Sequence, residues 1–115
     1  MTYTYLHNPG CSTSRKGLEL LESKGITLDV RKYMNASEQL SVDELKDIAV
    51  KMGGVSPRAF LRESNAKDAG VSPEAPDADL FAAMAANPKL IQRPILIKGD
   101  KAVLGRPVET MLDLL

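Results

Sequence analysis

The stretch HNPGCSTSRKG, His7 to Gly17, surrounds the single cysteine of the chain with a histidine, a proline, glycines, three hydroxyl residues and two cations. A thiol reacts as its thiolate, and that form is favoured by backbone N–H groups, hydroxyl donors and positive charge. A free cysteine is otherwise a small hydrophobe and among the most buried residue types. None of Asn8, Pro9, Gly10, Ser12, Thr13 and Ser14 is an aliphatic packing residue, so the surroundings of Cys11 favour the reactive reading. His7, Ser14 and Arg15 are the candidate thiolate-stabilising groups. A lone histidine at a strand end serves equally well as a satisfied polar residue, and Lys16 reads as a solvated helix position. One cysteine makes neither an internal disulfide nor a multi-thiolate metal site, so no metal is expected and any redox chemistry needs a partner thiol.

The elements that must present this cysteine follow from local signals. Thr2 to His7 alternates around Tyr3 and Tyr5 as a strand does, and Asn8-Pro9-Gly10 ends it with a turn. A helix starts near Ser12, with Leu18, Leu20 and Leu21 as its buried stripe and Lys24-Gly25 at its end, which places Cys11 at the helix N-terminus. Ile26 to Tyr33 is rich in β-formers and closes a βαβ unit, implying a parallel strand pair. Ser41 and Glu44 form a capping box ahead of Leu45, Ile48 and Ala49, and Gly53-Gly54 stops that helix. Ser56-Pro57 predicts another helix carrying Ala59, Phe60 and Leu61, and Asp79 to Ala86 a third, ended by Asn87-Pro88. The Pro-, Asp- and Ser-rich stretch SNAKDAGVSPEAPDAD between them reads as a surface loop with at most one helical turn. Pro94 to Ile97 and Ala102 to Leu104 flank a hairpin turn, and Val108 to Leu115 predicts an amphipathic final helix.

Composition narrows the rest. The 115 residues are 43% hydrophobic, enough for one core, and Lys plus Arg balances Asp plus Glu at 15 each. No like-charge run exceeds a dipeptide such as Arg31-Lys32, so a nucleic-acid partner is not expected. MTYTYLHNPG is too polar for a secretory signal and no stretch has membrane-spanning length, which predicts a soluble, cytoplasmic protein without membrane association. With no repeat and no linker, residues 1–115 form a single α/β domain. Its order, β-α-β, a helical insertion over about 36–90, then β-β-α, is similar to the thioredoxin-like (glutaredoxin-like) plan, with a mixed sheet. That plan implies a cis Arg93-Pro94 peptide facing the cysteine.

Three segments, in order and spread over nearly the whole chain, resemble the glutathione/glutaredoxin-dependent arsenate reductase family. HNPGCSTSR matches its His-Asn-Pro-x-Cys-x-x-Ser-Arg signature, SPRAFLR its arginine-bearing helix, and NPKLIQRPI with LGRP its final Arg-Pro pairs. The resemblance implies that Cys11 is the nucleophile and that Arg62, Arg93 and Arg106 bind the oxyanion substrate. Planar guanidinium forks suit a tetrahedral anion whose central atom must stay open to attack. It also implies arsenate as substrate, glutathione as co-substrate, glutaredoxin as partner and no tightly bound cofactor. Related transcription regulators that bind RNA polymerase carry a second cysteine where this chain has Ser14. The chain stops after the segment that follows LGRP, as the short arsenate reductase-like branch does, and arsenate need not be that branch's physiological substrate. A glutathione-linked thiol oxidoreductase with another substrate and a non-catalytic regulator-type binding protein are the competing readings.

Overall fold

The structure is a computed structural model and describes residues 3–115, so Thr2 of the expected first strand lies outside the described residues. Strand β1 (Tyr3–Leu6) leads through the Asn8–Gly10 turn into helix α1 (Ser12–Ser23), and β2 (Leu28–Arg31) pairs parallel to β1. After the insertion, β3 (Ile95–Lys98) pairs antiparallel to β1 and β4 (Lys101–Leu104) antiparallel to β3. The sheet order β2-β1-β3-β4 is the mixed, thioredoxin-like arrangement that the element order predicts. The Arg93-Pro94 and Arg106-Pro107 peptides are both cis.

Strand side chains alternate between faces, and here each face has its own core. Leu6, Ile95, Ile97, Ala102 and Leu104 face the insertion and pack with Leu45, Ile48, Phe60, Leu80 and Met84. Tyr3, Tyr5, Leu96 and Val103 face the other way, against Leu18 and Leu21 of α1 and against Val108, Met111 and Leu114. The insertion holds α2 (Val42–Lys51), α3 (Glu63–Asp68) and α4 (Asp77–Ala86). Ser41 caps α2 reciprocally with Glu44, as the motif predicts.

Four local expectations differ from the structure. Leu20 belongs to neither core, and the fully buried positions of α1 are Ser14, Gly17 and Leu21. The helix expected at Ser56-Pro57 is a short 3-10 turn, Pro57–Phe60, because Leu61 turns extended to bridge Ile91. The stretch expected as a loop with at most one helical turn carries α3 from that helix's second residue on, more than one turn, held by one buried side chain, Ala66, which leaves no periodicity to read. The expected final helix is a 3-10 helix, Val108–Leu114. The residues it packs on the core, Val108, Met111 and Leu114, recur every third position, the spacing that a three-residue turn stacks on one face.

Candidate active site

Cys11 caps α1 from an extended conformation, φ −102° and ψ 123°, with its side chain unused as a cap. Its loop is closed by the Cys11 N–H on the Asn8 carbonyl (3.0 Å) and the Gly10 N–H on Asn8 Oδ1 (3.0 Å). This leaves the sulfur beside the free N–H groups of the first helical turn. Burial pushes the thiol up. The Ser14 N–H, the Arg93 side chain and charge, and the Thr13 N–H more than reverse that, taking it from 9.0 to about 7.

Arginines from three separate segments gather around this sulfur, Arg106 and Arg93 at the thiol itself and Arg62 beside them. Arg106, after β4, places Nη2 3.8 Å from Cys11 Sγ and anchors its own Nε on the Arg93 carbonyl at 2.8 Å. Arg93 is buried, with 9% of its surface exposed, and its Nε has no hydrogen-bond partner. Arg62 stands at the start of α3, and its pKa is lowered by burial and by the neighbouring charges of Arg93 and Arg106. The spacing of Arg62 and Arg93 is set by a backbone clasp: the Arg62 N–H donates to the Leu90 carbonyl (2.8 Å) and the Gln92 N–H to the Phe60 carbonyl (2.7 Å), around the Leu61–Ile91 bridge. Among the described residues, no carboxylate lies within ion-pair distance of Arg62, Arg93 or Arg106. Their charge therefore faces the thiolate and whatever anion joins it.

His7, Ser14 and Arg15 stand in different relations to the sulfur. His7 is 5% exposed, and burial together with Lys32 and Arg15 holds its pKa below the usual 6.5, so the ring is neutral at pH 7. Its Nδ1 lies 2.7 Å from Ser14 Oγ, which also accepts the Asn8 N–H at 3.0 Å. The Ser14 hydroxyl thus ties strand end to loop, while its backbone N–H serves the thiolate. Arg15 is exposed and donates to the Pro9 carbonyl (2.7 Å), bracing the loop from outside.

A model of the ArsC family matches residues 6–114. The chain belongs to the ArsC family. It is 42% identical over 118 residues to an arsenate reductase of Haemophilus influenzae, with 100% of both chains covered. It is 36% identical over 115 residues to an arsenate reductase of Escherichia coli, covering 97% of this chain and 79% of that one. Among solved structures, an arsenate reductase from Vibrio cholerae superposes with a TM-score of 0.88 at 41% identity, covering 100% of this chain and 98% of that one.

Two tyrosines of this ArsC chain belong to the site's surroundings and escape the sequence reading. Tyr33, fully buried, donates to the Ile91 carbonyl at 3.3 Å; burial pushes its pKa up to about 12 against the lowering influence of Arg93. Tyr5 donates to the Ser14 carbonyl at 2.6 Å. Tyr5 sits in β1 and Tyr33 in the turn after β2, both positions where an aromatic residue reads as core, and only the fold reveals where the hydroxyls point.

Proposed function

We propose that the chain is an arsenate reductase coupled to glutathione and glutaredoxin, with Cys11 as nucleophile and Arg62, Arg93 and Arg106 as the oxyanion cradle. The observation that carries this reading is the buried Arg93 guanidinium, unpartnered at Nε, beside a thiol held near 7. An orphaned buried donor is costly, and a tetrahedral oxyanion seated on Cys11 is a ligand that would satisfy it. Sequence similarity to arsenate reductases along the full chain supports the choice of arsenic over other oxyanions.

The chemistry follows from those groups. The Cys11 thiolate attacks As(V) and an oxygen ligand leaves as water, giving a covalent S–As(V) adduct. Guanidiniums on the remaining oxygens offset the charge that builds during attack. A glutathione thiolate then attacks the Cys11 sulfur, and the S–As electron pair stays on arsenic, releasing arsenite and leaving a Cys11–glutathione disulfide. Glutaredoxin returns the thiol by exchange. With Ser14 rather than a second cysteine nearby, resolution falls to external thiols.

The test is NADPH consumption coupled through glutathione reductase, glutathione and glutaredoxin. Arsenate-dependent turnover that disappears in Cys11→Ser, with arsenate binding weakened in the Arg→Ala variants by equilibrium dialysis, is the expected result. Absence of turnover, or dialysis unchanged in all three arginine variants, overturns the reading.

A further inference from the structure

Gly17 lies in the interior of α1, where glycine is destabilising relative to alanine and a packing reason is called for. A Cβ built there would stand 2.5 Å from the Tyr5 hydroxyl and 2.8 Å from Met111 Cε. The methionine end is flexible and can give way; the hydroxyl is carried by a rigid ring, itself 0% exposed, and has nowhere to retreat. That hydroxyl donates to the Ser14 carbonyl at 2.6 Å. The same peptide unit, through the Arg15 N–H, donates to the carbonyl of Cys11 at 3.0 Å. A continuous chain therefore runs from the Tyr5 O–H, through one peptide plane, to the backbone of the nucleophile, and each bond polarises the next.

We propose that Tyr5 and Gly17 form a positioning pair for Cys11: the missing side chain of Gly17 makes room for the Tyr5 hydroxyl, which pins the first turn of α1 and with it the sulfur. The proposal rests on Cys11 being the reactive group of the proposed function, and it adds two residues that touch neither substrate nor sulfur. A tyrosine at this strand position needs only its ring to fill the core formed by Leu21, Leu96 and Met111. The oxygen is there for the turn. Its loss loosens the geometry in which the Thr13 and Ser14 N–H groups face the thiolate, while Arg62, Arg93 and Arg106 remain in place.

The experiment is a thiolate titration of Cys11, by ultraviolet absorbance and by alkylation rate against pH, in wild type, Tyr5→Phe and Gly17→Ala. Tyr5→Phe removes one atom and keeps the ring, and its midpoint is expected to rise by roughly half a pH unit, the share of one neutral hydrogen bond that a peptide plane passes on. Gly17→Ala is expected to raise it in the same direction, and the double variant less than the sum of the two. A merely structural role lowers thermal stability and leaves the midpoint alone; an unshifted midpoint in folded Tyr5→Phe overturns the proposal, whatever becomes of Gly17→Ala. The titration needs no arsenate. A shifted midpoint in a protein that fails to reduce arsenate sustains the pair and removes the functional reading, and the reverse outcome does the opposite.

Discussion

The face of the sheet turned to the insertion is closed by aliphatic and aromatic side chains from three helices and the loops between them, whereas the opposite face is covered chiefly by α1 and the final 3-10 helix. The first core is bulk packing. The second is thin, and it closes by near contact: a Cβ at Gly17 or at Gly105 would collide with Tyr5, Pro94 or Met111. Cys11 sits at the end of α1 on this thin side, and Pro94 and Gly105 there are the chain neighbours of Arg93 and Arg106. Packing against α1 therefore aims the Cys11 loop, while the insertion side supplies the bulk of the core and touches the site only through the Leu61–Ile91 bridge that spaces Arg62 and Arg93.

The hardest test of this division is a large cavity on the insertion side. Leu80 in α4 is fully buried. Leu80→Ala is expected to cost about 2–5 kcal/mol in urea unfolding, as buried Leu→Ala changes do. The Cys11 midpoint should nevertheless stay at about 7. A midpoint that moves with the cavity would show that the two faces are not separable.

A smaller change on the thin side should do the reverse. At Gly105 a Cβ would meet Met111 Sδ at 2.8 Å, Pro94 Cγ at 2.8 Å and Met111 Cε at 2.9 Å. Gly105→Ala is expected to destabilise by about 1–3 kcal/mol through overpacking. It should also raise the thiol midpoint, because the strain falls on the segment that holds Arg106 Nη2 3.8 Å from Cys11 Sγ. An effect on stability with the midpoint unmoved would reduce the thin face to ordinary core.

The same division explains what the sequence makes legible. The Cys11 turn is contiguous, its strand, turn and cap signals fall within a dozen residues, and each has a local cause. The α2 capping box is legible for the same reason. Arg62, Arg93 and Arg106 are local only in being arginines. They meet because the Leu61–Ile91 bridge and the Arg106–Arg93 hydrogen bond join segments far apart in the chain, so they are identified by resemblance and not by pattern. The hydroxyls of Tyr5 and Tyr33 are illegible for a different reason: each ring satisfies the hydrophobic pattern by itself, and the pattern is silent about the oxygen. Secondary structure fails where a few side chains decide it: Ala66 alone anchors α3, and the final segment carries an α-like apolar pattern in Val108, Met111, Leu112 and Leu115 yet packs Val108, Met111 and Leu114 as a 3-10 helix.

The smallest expected effect concerns His7, where the thin side meets the loop. Its folded pKa lies below 6.5, chiefly through burial and then through Lys32 and Arg15, with Glu22 opposing. The neutral ring is hydrogen-bonded through Nδ1 to Ser14 Oγ, and that hydroxyl oxygen accepts the Asn8 N–H. For a group whose pKa is depressed on folding, the stabilisation is complete above the unfolded value and is lost as pH falls through the folded one, because the unfolded chain takes up the proton first. The urea midpoint of the wild type should therefore begin to fall below about pH 6.5. The slope cannot exceed that for one proton. Glu44, lowered chiefly by its hydrogen bond to Arg31, acts in a more acid window on the insertion side, below 4.5. His7→Gln retains polarity without the titration, so its profile should be flatter than wild type between pH 6.5 and 5, with the two converging in the acid limb that Glu44 governs. Equal slopes between pH 6.5 and 5 would remove His7 from the acid response and leave its bond to Ser14 a purely structural tie.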